Sequence, residues 1–155
     1  MRRRVRAVSG SSPAVLLLAA LAATGCEHPI AVVTPHLEAA DAVLRDPAGR
    51  ELARTVDNRS WTGPGPVLTA GDGVELVVRF LDFQGAELEL ADRSDLQVRL
   101  EFEDPAAGFW EPLDPGGRLL ALAAGPQRLR VLVRHLDHVD FVTPWLDVTV
   151  ANPSP

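Results

Sequence analysis

Strict two-residue alternation is the feature that most limits what this chain can become. In Leu96–Phe102, Leu96, Val98, Leu100 and Phe102 are apolar, while Gln97, Arg99 and Glu101 are polar. Successive side chains of a strand point to opposite faces, so this pattern predicts a half-buried β-strand. Val74–Asp82 repeats it, with Val74, Leu76, Val78 and Phe80 on one face. Leu129, Val131 and Val133 alternate with Arg128, Arg130 and Arg134, and Leu146, Val148 and Val150 with Asp147 and Thr149. Weaker strands are expected at Glu38–Arg45, Glu51–Val56, Glu87–Leu90 and Arg118–Ala123. No stretch carries a convincing helical period.

The punctuation agrees. Asp46-Pro47-Ala48-Gly49, Gly71-Asp72-Gly73, Asp82-Phe83-Gln84-Gly85, Asp114-Pro115-Gly116-Gly117 and Ala124-Gly125-Pro126 are turn sequences. Many short strands at such intervals predict an all-β sandwich. Trp61-Thr62-Gly63-Pro64-Gly65-Pro66 reads as a surface loop. Trp61, Trp110 and Trp145 are expected in or beside the core. Phe109-Trp110 also fits a loop, where an exposed aromatic pair could anchor a partner.

The N-terminal quarter obeys different rules. Arg2, Arg3, Arg4 and Arg6 precede a continuous apolar run, Ala14–Ala23. That run is too short to span a membrane, which takes ~20 apolar residues. It has the form of a signal-peptide core. Small residues then lead through Ala22-Ala23-Thr24-Gly25 to Cys26, the only cysteine of the 155-residue chain.

These residues resemble the lipobox of bacterial lipoproteins. Ala23 departs from that family's pattern, since Leu is commonest three places before the cysteine. The resemblance implies cleavage between Gly25 and Cys26 and lipid attachment at Cys26. One acyl chain anchors marginally and two or more anchor stably. It also implies a cell-envelope location, facing the periplasm or the surface. Glu27, standing where Asp would favour inner-membrane retention, leaves the outer membrane as the default.

The stretch Leu119–Val150 is similar to the end of a bacterial immunoglobulin-like domain. Leu119–Ala123, the turn Ala124-Gly125, Leu129–His135, Leu136–Asp140 and Leu146–Val150 match its closing strands. The expected organisation is a signal peptide at 1–25, a lipidated N-terminus and tether at 26–35, an immunoglobulin-like β-sandwich at 36–151 and a tail at 152–155. A single cysteine excludes an intrachain disulfide, so the core or a bound ion must hold the fold.

Composition narrows the function. The formal net charge is −6, and without the four leading arginines it is −10. Phosphate contacts need Lys and Arg, so no nucleic-acid partner is expected. Membrane contact is expected through the lipid on Cys26, and an envelope protein is the expected kind of partner. Beyond the signal segment the only serines are Ser60, Ser94 and Ser154, and none lies in a nucleophile elbow. There is no phosphate loop or dinucleotide fingerprint. The chain therefore reads as non-enzymatic, an interaction or structural domain.

One cluster offers an alternative. Arg134-His135-Leu136-Asp137-His138-Val139-Asp140 gathers His135, His138 and Asp140, with Asp137 also of suitable type. On a straight strand the two rings would face opposite ways, whereas a hairpin connection lets them converge. In an immunoglobulin-like sandwich the start of the first strand shares a pole with the last hairpin. His36 and Glu38 are thereby candidate ligands too. No cofactor is required by the sequence, but imidazole with carboxylate suits zinc or another divalent transition metal. His28 is read as incidental.

The lipobox reading has a direct test. Cys26→Ser should abolish acylation and leave an uncleaved precursor, as read by metabolic labelling with a fatty acid and by the mass of the chain. Membrane-bound Cys26→Ser protein cut at the same bond would refute it.

Overall fold

The computed structural model describes residues 36–90 and 93–154. The signal segment, the Gly25–Cys26 bond and the tether lie outside the described residues.

The alternating segments become strands of two packed, mainly antiparallel sheets. The strands are β1 (Asp41–Arg45), β2 (Glu51–Val56), β3 (Ser60–Thr62), β4 (Leu68–Thr69), β5 (Gly73–Leu81), β6 (Leu96–Phe102), β7 (Gly108–Leu113), β8 (Gly116–Ala121), β9 (Gly125–His135), β10 (His138–Val142) and β11 (Leu146–Ala151). One sheet runs in the order β3-β2-β1-β5-β8-β7. The other is built on β9, the longest strand. β6 pairs with residues 129–135 of β9 on one edge, while β10 and β11 follow each other along the opposite edge. β4 adds to β11 in parallel. The described residues thus form an all-β sandwich.

The faces follow the alternation. Leu100, Leu129, Val131, Val133, Val148 and Val150 are buried on the inner face of one sheet, and Leu44, Leu76, Phe80 and Leu119 on that of the other. Phe80 meets Phe141 edge to face, with ring centroids 5.5 Å apart. Burying each such side chain is worth ~1.5–3 kcal/mol, which lets a chain without a disulfide keep its fold.

Between β10 and β11 the ladder is interrupted by Pro144, which has no N–H to give. Thr143 closes the gap. Its N–H donates to the Val131 carbonyl at 3.0 Å, and its hydroxyl accepts from the Val131 N–H at 2.9 Å. Trp61 ties the β2–β3 hairpin to this point by donating Nε1–H to the Pro144 carbonyl at 2.8 Å.

Several sequence expectations are corrected. Strand pairing starts at Asp41 and not at Glu38. Glu87–Leu90 forms only an isolated bridge, Leu81↔Glu87, and the Glu87 carboxylate instead reaches Arg45 at 3.1 Å and Arg79 at 3.2 Å. Trp61 and Thr62 belong to β3 rather than to a loop. The signal was Asp57-Asn58, whose φ values of 51° and 49° make the tight hairpin turn those residue types tolerate. Phe109-Trp110 lies in β7, an edge strand paired with β8, and edge strands are where a proline such as Pro112, lacking an N–H, is tolerated. Trp61 and Trp110 pack on the core, whereas Trp145 lies outside it. The guanidinium of Arg130 stands 4.6 Å from the centre of the Trp145 ring, a cation–π contact.

The two faces of β6 should respond differently to substitution. Leu100→Ala, at a residue 2% exposed, should cost ~2–5 kcal/mol in denaturant unfolding. Arg99→Ala on the outer face should stay within ~0.5 kcal/mol.

Candidate metal centre

The last hairpin of the sandwich turns in two residues, Leu136 and Asp137, so His135 and His138 become a directly opposed cross-strand pair. Opposed residues in an antiparallel pair share a face. That is how two rings three places apart come together, with ring centroids 5.2 Å apart. Leu136 adopts a φ of +53° to make the turn, a conformation bulky residues seldom take.

Asp140 reaches the same place by a different device. In β10, Val139 opposes Arg134 and Phe141 opposes Val133, so Asp140 is the extra residue of a β-bulge. Regular alternation would turn either Asp140 or Phe141 to solvent. The bulge keeps both inside: the Asp140 side chain is 0% exposed and Phe141 is buried in the core. Bulges commonly re-aim a side chain in this way.

His36 arrives from the start of the domain. Its Nδ1 lies 2.9 Å from Asp140 Oδ1, and the His138 Nε2 lies 2.9 Å from the same oxygen. His138 Nε2 and His36 Nδ1 are 3.4 Å apart. The other Asp140 oxygen, Oδ2, accepts the Leu37 N–H at 3.1 Å and stands 3.7 Å from His135 Nδ1. One nitrogen or oxygen from each of His36, His135, His138 and Asp140 falls within 4.8 Å of all the others.

The centre has a closed and an open side. His135 continues the inward row of Leu129, Val131 and Val133 and is only 2% exposed. The His36 and His138 side chains are 63% and 45% exposed, so an ion has a path in from solvent. Burial acts to raise the Asp140 pKa. The hydrogen bond with His36, the Leu37 N–H and the charges of His36 and His138 outweigh it, and the carboxyl is held below its ordinary range. Asp140 is thereby kept anionic, as a ligand must be.

His135 has an unmet requirement. Neither ring nitrogen has a hydrogen-bond partner, although both are buried. Nε2 is 3.0 Å from Asp95 Oδ2 but out of line for a hydrogen bond. Leaving a buried polar group unsatisfied costs ~1–3 kcal/mol. A cation on Nδ1 would remove that cost.

Of the five expected ligands, four converge. Glu38 does not: it is exposed and outside the group, and the inward residue beside it is Leu37. Asp95 was not anticipated, and Asp137, read as of suitable type for a ligand, lies beside a ring without joining the group. Asp95 precedes β6, one step beyond the pairing of Leu96 with His135. Asp137 Oδ1 lies 3.4 Å from His138 Nδ1. The alternation of β9, continued one residue past Arg134, was the available signal that His135 faces inward.

No family model, no curated protein and no solved structure matches this chain.

Proposed function

We propose that this chain is a lipid-anchored, non-enzymatic cell-envelope protein whose immunoglobulin-like sandwich binds a divalent transition metal at one pole. The observation that carries the metal reading is the convergence of His36, His135, His138 and Asp140, with ligand atoms within 4.8 Å of one another. Three imidazoles and a carboxylate are a zinc-type donor set, and copper or nickel would also accept it. The hydrogen-bond deficit of His135 speaks for a cation there, and the exposed His36 and His138 rings speak for exchange with the surroundings. An ion at this point would fasten residue 36 to the final hairpin, a cross-link in a chain that cannot form a disulfide.

The immunoglobulin-like part is supported by connectivity. β1 lies beside β5, followed by β8 and β7, while β6, β9 and the β10–β11 edge form the facing sheet. These are the pairings of the seven-strand immunoglobulin arrangement, with β2 and β3 as an added hairpin. The lipid anchor rests on the residues leading to Cys26. The location follows from it: the envelope, with the outer membrane as default. The interaction or structural role of such a domain remains the reading if no metal binds.

Zinc, nickel or copper added to the purified, detergent-solubilised chain should raise its melting temperature, and a chelator should reverse the rise. At hundredfold excess over the dissociation constant the gain should be ~2.7 kcal/mol. The His135→Ala/His138→Ala double variant should lose the response and Glu38→Ala should keep it. A melting temperature indifferent to all three metals would reject the metal reading.

A further inference from the structure

The surroundings of His135 extend the metal site by one residue. Asp95 stands on the side of the ring away from Asp140, its Oδ2 3.0 Å from His135 Nε2. Arg93 grips Asp95 through two parallel contacts, Nε to Oδ1 at 3.0 Å and Nη2 to Oδ2 at 2.9 Å. A forked arginine–carboxylate pair of this kind has a defined geometry. The fork fixes the Asp95 carboxylate between the Arg93 guanidinium and the His135 ring.

The arrangement has a logic in the two nitrogens. Nδ1 faces Asp140 and the other donors, and Nε2 faces Asp95. A neutral imidazole has one N–H and one lone pair. A carboxylate on the Nε2 side favours the proton there and leaves the Nδ1 lone pair for an ion. Ring position is fixed from the backbone too, because Leu96, next to Asp95, pairs directly with His135.

Building on the metal-binding reading above, we infer that Asp95, held by Arg93, is a positioning residue of the centre: its charge beside Nε2 favours the tautomer in which His135 presents the Nδ1 lone pair to the metal. It touches no ligand position itself. Asp137 provides the contrast. It lies 3.4 Å from His138 Nδ1, but its side chain is 97% exposed and solvent screens it.

The experiment is zinc titration by calorimetry of the full chain in detergent, as wild type, Asp95→Asn and Asp137→Asn. Cobalt(II) absorption reads the ligand field, and melting in chelator reads the metal-free fold. Asp95→Asn should weaken zinc binding by ~10–100-fold and shift the cobalt spectrum, with metal-free melting close to wild type. Asp137→Asn should bind zinc as wild type does. Equal zinc affinity in Asp95→Asn and wild type would overturn the role of Asp95 while leaving the metal site standing. So would an equal loss in both variants, or an affinity loss with an unshifted cobalt spectrum. Should metal-free Asp95→Asn melt well below wild type, Asp95 would be a fold residue and the inference would fall. A wild-type chain that takes up no zinc would remove the site itself.

Discussion

Strand β9 organises this molecule. Its inward row, Leu129, Val131, Val133 and His135, is apolar for three positions and then ends in an imidazole. One edge carries β6, and the other carries β10 and β11 in succession. The hydrophobic effect therefore fixes which face of β9 turns inward, and the ladder bonds fix what lies beside it. His135 is drawn into the interior as the last member of a row selected for burial. Its ring nitrogens are taken from water by the same packing that stabilises the fold.

That placement couples the core to the polar pole. Leu37 is a buried core residue, yet its N–H donates to the Asp140 carboxylate. Phe141, beside Asp140, meets Phe80 of the opposite sheet. The chemistry-bearing side chains are thus flanked by core residues, which restricts their positions more tightly than a loop would. A metal bound by these groups would connect three segments distant in sequence: the domain start, the end of β9 and the bulge of β10. The loss of chain freedom needed to gather them has already been met by folding.

The polar outer face of the β6–β9 sheet is organised differently. Glu101 pairs with Arg130, Glu103 with Arg128, and both arginines stand over Trp145. These groups are half-exposed, and isolated surface ion pairs contribute little, ~0–1 kcal/mol each. Their effect is to cover Trp145 and keep a long edge strand polar on its outer side. The pole that gathers His36, His135, His138 and Asp140 differs because its polar groups are crowded and its central carboxylate has no contact with solvent.

The strands with strict alternation were legible in the sequence because period two reports burial of one face directly. β5, β6, β9 and β11 all follow it, and the all-β class rests on them. β7 was not legible, since Gly108 and Pro112 interrupt its pattern and only edge pairing with β8 makes it a strand. The sequence also announced that His135, His138 and Asp140 lay close along the chain, and that His36 would open the first strand's approach. It offered Glu38 as a ligand beside His36 and could not show that Glu38 falls outside the group, nor reveal Asp95. Those choices depend on register: a two-residue turn that opposes His135 to His138, a pairing that sets Asp95 beside Leu96 and His135, and a bulge that turns Asp140 inward together with Phe141. Alternation is a local property of side-chain direction, readable from residue types. Register and bulges are settled only when whole strands pair and their inner faces compete for the same interior.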